Sequence, residues 1–215
     1  MVVIVEPLEF EFVVKPIADE ETAPYVLEFT GRAMQWDDDE ATEVEVGVIR
    51  GHRIDLAAAR ADQVDIGALM DAISPDISDF RATVFHGGIC YLPGATSDSS
   101  CPQPQCDSLV YIDEVLVKPD LRGQGIGQTL MKQMSLMIDI EHALIGLKAF
   151  PLSQDYGSER EPEQIRMVKN FYEKMGFVHA GKDYMVKNAD NCYAMKKRLQ
   201  WRNSQSVPGD NATAG

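Results

Sequence analysis

The chain has 215 residues, with 34 acidic against 20 basic side chains and a formal charge of −14. The length suits one domain with an appendage, and 45% apolar residues provide for a packed core. The negative balance disfavours a protein whose main task is to grip phosphate backbones, and no apolar run reaches the roughly 18 residues of a membrane-spanning helix. The imbalance is local: residues 1–80 hold 19 acidic and 5 basic side chains, a difference of −14, while residues 81–215 hold 15 of each. Halves that differ this much are expected to do different things.

In chain order, Met1 to Pro7 lacks a basic stretch and acids follow at Glu9 and Glu11, so no secretion signal is expected. Leu8, Phe10, Phe12 and Val14 alternate with other residues and predict a half-buried strand. Residues 23–35 are expected as a helix, with Pro24 near its start, followed by the acidic run Asp37, Asp38, Asp39 and Glu40. Two strands are expected near 43–50 and 53–60, joined as a hairpin by Arg50-Gly51-His52-Arg53. Val64 to Ile73 predicts a helix that Ser74-Pro75 ends, with Pro75 placed to begin another. Residues 93–107 read as a long polar loop. Then come an apolar strand from Leu109 to Val117 and a glycine-rich turn from Arg122 to Gly127. A helix is expected over 128–140, a strand over 143–150, a polar loop over 152–162 and a helix over 163–175 closed by Gly176. Strands near 177–187 and 191–199 complete the pattern, and from Asn203 the chain reads as a polar, disordered tail.

The four cysteines, Cys90, Cys101, Cys106 and Cys192, form no zinc pattern, and no metal is expected. They are expected to be reduced thiols in a cytoplasmic protein, a loop disulfide between Cys101 and Cys106 being the alternative. His86, His142 and His179 are scattered and read as structural or surface residues.

The chemistry concentrates in strand, then Arg122-Gly123-Gln124-Gly125-Ile126-Gly127, then helix. Glycines let the backbone take φ > 0 and bring successive N–H groups to one point, at the positive end of a helix dipole. Such a turn suits a phosphate, and Arg122 adds a permanent cation. It is not a P-loop, because Gln128-Thr129 follows Gly127, and Gln128 also spoils a dinucleotide fingerprint.

The segment from Tyr111 to Gly127 resembles the acetyl-CoA site of the GNAT superfamily of N-acyltransferases. Arg122, Gly125 and Gly127 meet that family's Arg/Gln-x-x-Gly-x-Gly/Ala pattern, and Phe171-Tyr172-Glu173-Lys174-Met175-Gly176-Phe177 resembles a second family segment. The resemblance is clear over about 108–180. It implies an α/β GNAT fold, with a mixed, mostly antiparallel sheet flanked by helices. It also implies acetyl-CoA as co-substrate. Val115, Leu116 and Val117 would offer backbone groups to the pantetheine arm. Gly123, Gln124, Gly125, Ile126, Gly127 and Gln128, with Arg122, would hold the pyrophosphate. Tyr172 would protonate the departing thiolate. Many family members carry Asn where this chain has Ile165.

Acyl transfer needs a neutral amine and a protonated leaving thiol, hence a base and an acid. Glu114 is the first candidate base and Asp113 the second; as neighbours in a strand they are expected to face opposite ways. The expected function is transfer of acetyl from acetyl-CoA to a primary amine, cationic by the charge of the N-terminal part, through direct attack in a ternary complex. The alternative is a GNAT-fold module that binds CoA or a partner without turnover. Residues 1–50 are expected as an acidic extension packed on or continuous with the fold, 51–200 as the acetyltransferase domain and 201–215 as the tail. Neither nucleic acid nor membrane is the expected partner, and a homodimer is left open.

Overall fold

Glu and Phe alternate from Glu9, and strand pleating then puts Phe10 and Phe12 on the core side and the two glutamates in solvent. This strand, β1 (Glu9–Pro16), is the first of a seven-stranded sheet in a computed structural model that describes residues 8–37, 41–85, 106–151 and 161–189. β2 (Val26–Asp37) pairs antiparallel with β1 on one side and with β3 (Thr42–Asp55) on the other. A helix over 23–35 was the expectation, and a strand is found. Val26, Phe29 and Thr30 fit a pleated surface, and Gly31 weakens a helix. The ring of Phe12 and the Ile49 side chain occupy the space that a side chain at 31 would need.

The expected hairpin at 50–53 is also corrected. β3 runs unbroken through Arg50-Gly51-His52-Arg53 as a single 14-residue strand. A Cβ at Gly51 would collide with the Tyr111 carbonyl, so this glycine permits close approach between strands, not a turn.

Three short helices follow, each with an acceptor side chain at its start. Asp55 caps α1 (Leu56–Ala61) by accepting from Ala58 N at 2.8 Å. Asp65 caps α2 (Ile66–Ile73), and Ser74 caps α3 (Pro75–Val84), with Pro75 in its first turn. The remaining elements are β4 (Ser108–Val117), α4 (Ile126–Met137), β5 (Ala143–Lys148), α5 (Glu161–Lys174), β6 (Val178–Gly181) and β7 (Tyr184–Asn188). The single strand expected over 177–187 is thus a hairpin. It turns where Gly181 (φ 111°) and Lys182 (φ 47°) leave the extended region. The strand near 191–199, the tail, most of the 93–107 loop, His86 and most of the acidic run lie outside the described residues.

The sheet order is β1-β2-β3-β4-β5-β7-β6, and only β4 and β5 run parallel. The architecture is a mixed α/β fold with a mostly antiparallel sheet between helices. On one face α4 and α5 pack Leu130, Met134 and Tyr172 against Phe29, Ile49 and Ile112. On the other, α1 to α3 pack Leu69, Met70 and Ile77 against Leu109 and Leu144. At the centre of this second core, the Phe80 ring meets Phe85, Tyr111 and Tyr184 edge-on, with centroids 6.2, 5.2 and 5.4 Å away. Gly146 leaves the room for that ring. Cys106, fully buried beside this core, is disulfide-bonded, against the expectation of reduced thiols; its partner lies outside the described residues. The pairing removes the thiol argument for a reducing compartment.

Candidate active site

β4 and β5 stay paired from Ser108 opposite Ala143 to Ile112 opposite Leu147. Beyond that point β4 continues to Val117 while β5 ends at Lys148. Val115, Leu116 and Val117 are paired with Ile49, Val48 and Gly47 of β3 on one edge, and have no β5 partner on the other. A strand edge with unpaired N–H and C=O groups is a ready partner for an extended chain that carries amides of its own.

The chain leaves β4 through a short 3-10 turn at Pro119–Leu121 and reaches α4 by way of Gly123 (φ 80°) and Gly125 (φ 87°). Gly125 is the N-cap residue of α4 and supplies no side-chain cap. The N–H groups of Ile126, Gly127 and Gln128 therefore begin the helix without intrahelical acceptors, and no acid sits in the first turn. A Cβ at Gly123 or Gly125 would meet nothing within 4 Å, so the backbone here faces open space. Arg122 donates from Nε to the Val117 carbonyl at 3.2 Å, which ties the turn to the free end of β4. This cradle fits a diphosphate.

The helix α5 lies against this corner. The Phe171 ring approaches within 3.3 Å of where a Cβ of Gly127 would stand, and the Val115 and Val117 side chains lie 3.6 Å from that point. Tyr172 is wedged edge-on between Phe171 (5.0 Å) and Phe177 (5.7 Å) in the same core as α4, with 7% of its surface exposed. Burial pushes its hydroxyl up to about 12, and among the described residues that hydroxyl has no hydrogen-bond partner.

Asp113 and Glu114 sit where β4 parts from β5. The register of β3 against β4 shifts there: Arg50 pairs with Glu114, Gly51 with Ile112, and Asp113 is the extra residue of a bulge. Glu114 is held by the Arg50 guanidinium, and Asp113 Oδ2 lies 3.0 Å from His52 Nδ1. Arg50 and His52 are two apart on β3 and share a face. The two carboxylates therefore lean to one side, not to opposite sides as regular pleating would place them, and the bulge is the reason. That side is the α1 to α3 side, because His52 lies opposite Tyr111, whose ring is in the second core.

Asp113, Glu114 and Val115 to Val117 lie on the stretch of β4 that runs past its pairing with β5, the Arg122 to Gln128 turn follows it, and Tyr172 lies in the core beside Phe171. His52 was missed, because reading 50–53 as a turn hid its place on a strand beside β4. His179 pairs with Glu173 on the surface, 3.2 Å away. Among the described residues no group of three His, Cys, Asp or Glu side chains could hold a metal ion.

A parallel pair that opens over an uncapped, glycine-led helix start offers an extended ligand a strand edge at one end and a diphosphate a ring of free N–H groups at the other. The acetyltransferase (GNAT) domain model matches residues 84–179, from the end of α3 into β6, so this stretch of the chain is similar to a GNAT acetyltransferase domain. No curated protein matches it. Among solved structures, a KacTA–DNA complex aligns at 9% identity over 88% of this chain and 99% of that one (TM-score 0.42). AtaTR bound with AcCoA aligns at 10% over 87% and 98% (TM-score 0.37). Arabidopsis thaliana NAA60 with a bisubstrate analogue aligns at 12% over 82% and 98% (TM-score 0.37). Likenesses at this level say nothing of what the present chain binds.

Proposed function

We propose that this protein is an N-acetyltransferase that moves the acetyl group of acetyl-CoA to a primary amine by direct attack in a ternary complex. The observation that carries the reading is the unpaired edge of Val115 to Val117 beside the open start of α4, with Phe171 of α5 packed against the same corner and Tyr172 next to it. Backbone groups of Val115 to Val117 take the amides of the pantetheine arm. The N–H groups from Gly123 to Gln128, with Arg122, take the pyrophosphate. The thioester supplies an activated acetyl group.

The sheet separates the two proton-handling sides. Asp113 and Glu114 lean toward the α1 to α3 side and Tyr172 belongs to the α4 and α5 side. An amine arriving on the acidic side forms the C–N bond while the C–S bond breaks toward Tyr172. The amine loses one proton on the first side, and the sulfur gains a hydrogen bond and then a proton on the second. No covalent enzyme intermediate is needed, and positioning supplies much of the rate.

Release of free thiol from acetyl-CoA against a panel of amines, including polyamines and lysine peptides, tests the reading. Turnover on at least one amine is the expected result. Firm acetyl-CoA binding with no turnover on any would instead select the non-catalytic module that Ile165 keeps in view.

A further inference from the structure

Glu114 is the obvious base by sequence, yet its carboxylate is engaged by Arg50. His52 is in a different situation. Its side chain is 17% exposed, and its buried Nδ1 stands 3.0 Å from Asp113 Oδ2 at an ion-pair distance, without the alignment of a full hydrogen bond. Nε2 has no protein partner among the described residues. His52 lies opposite Tyr111, one residue short of Ile112, where β4 and β5 last pair, on the β3 side of the strand that forms one edge of the opening. Asp113 reaches it only because the bulge puts an extra residue there.

We infer that His52, oriented by Asp113, takes the proton from the acceptor amine; the inference rests on the acetyltransferase reading above. As the amine nitrogen bonds to the acetyl carbon and the C–S electron pair goes to sulfur, the N–H proton passes to His52 Nε2. Asp113 acts through His52 as a positioning residue, fixing the ring with Nδ1 protonated and stabilising the imidazolium that forms. The other groups facing His52 are Glu28 of β2, which lies opposite it and is paired with Lys15 at 2.7 Å, the hydroxyl-bearing Tyr111 of β4, and the Arg50–Glu114 pair beside it.

The test uses the full chain, acetyl-CoA and the best amine of the panel, with kcat/KM followed from about pH 6 to 9. His52→Gln is expected to lower kcat/KM on the order of 100-fold and to flatten the acid limb of the profile, with calorimetric acetyl-CoA affinity unchanged. Asp113→Asn is expected to lower kcat less than His52→Gln does, with the KM for acetyl-CoA unchanged, because the ring loses the carboxylate that orients it. Wild-type kcat/KM and an intact acid limb in His52→Gln would overturn the inference and leave the acetyltransferase reading standing. Wild-type kcat in Asp113→Asn, a variant at a partly exposed bulge position, would overturn the dyad independently of any folding defect at 52. A wild-type protein that binds acetyl-CoA and acetylates nothing would sink both.

Discussion

Burial sets what Tyr172 can do. With its hydroxyl pushed up to about 12, it stays protonated throughout the neutral range. In the proposed reaction Tyr172 therefore enters as a neutral hydroxyl, able to donate a hydrogen bond as charge grows on sulfur. Tyr172→Phe should lower kcat by about 10- to 100-fold and leave acetyl-CoA affinity within a few-fold, measured by thiol release and calorimetry. Equal turnover in that variant would remove Tyr172 from the reaction. The sign of the pH dependence follows: a group raised to about 12 supplies no loss of activity between pH 7 and 10, so any limb in that interval belongs to another group.

At the level of elements, the start of α4 is built by dihedral demand. Gly125 sits at φ 87° with empty space where a Cβ would point. Gly125→Ala should cost roughly 1 to 2 kcal/mol of stability. It should also weaken CoA binding by about tenfold, since the new methyl group projects into the space left for the diphosphate. Thermal melting and calorimetry separate the two effects, and an unchanged affinity would mean the diphosphate is held elsewhere. The second core offers a contrasting case. Phe80 is fully buried among Phe85, Tyr111 and Tyr184, and anchors α3 to β4 and β7. Phe80→Ala should cost about 3 to 5 kcal/mol, a fall in Tm on the order of 10 °C. Tyr184 partly ties the same helix from outside, donating to Asp79 at 2.9 Å.

Over the whole molecule the −14 belongs to the first 80 residues, and part of that charge lies on β2 and β3, where Glu28 stands opposite His52. Replacing Asp37, Asp38, Asp39 and Glu40 with their amides should raise the KM for a cationic amine a few-fold at low salt and less at 0.5 M salt, because such fields are screened. A KM insensitive to both changes would reduce the charge to solubility. The sequence by itself determined the parts that depend on local backbone chemistry: the glycine-led turn, the strand before it, the helix carrying Tyr172, and the helix over Val64 to Ile73 that Ser74-Pro75 ends. Each is legible because a fixed residue type meets a fixed dihedral or an unpaired N–H within a few positions. Tertiary structure alone decided the rest. Residues 26–37 became a strand because two neighbours were waiting to pair with them, and Gly51 became a point of close approach because Tyr111 crosses there. Above all, the union of His52 with Asp113 depends on the register between strands separated by some 50 residues of chain, shifted by one bulged position. Register is a property of paired strands, and no pattern within either segment records it.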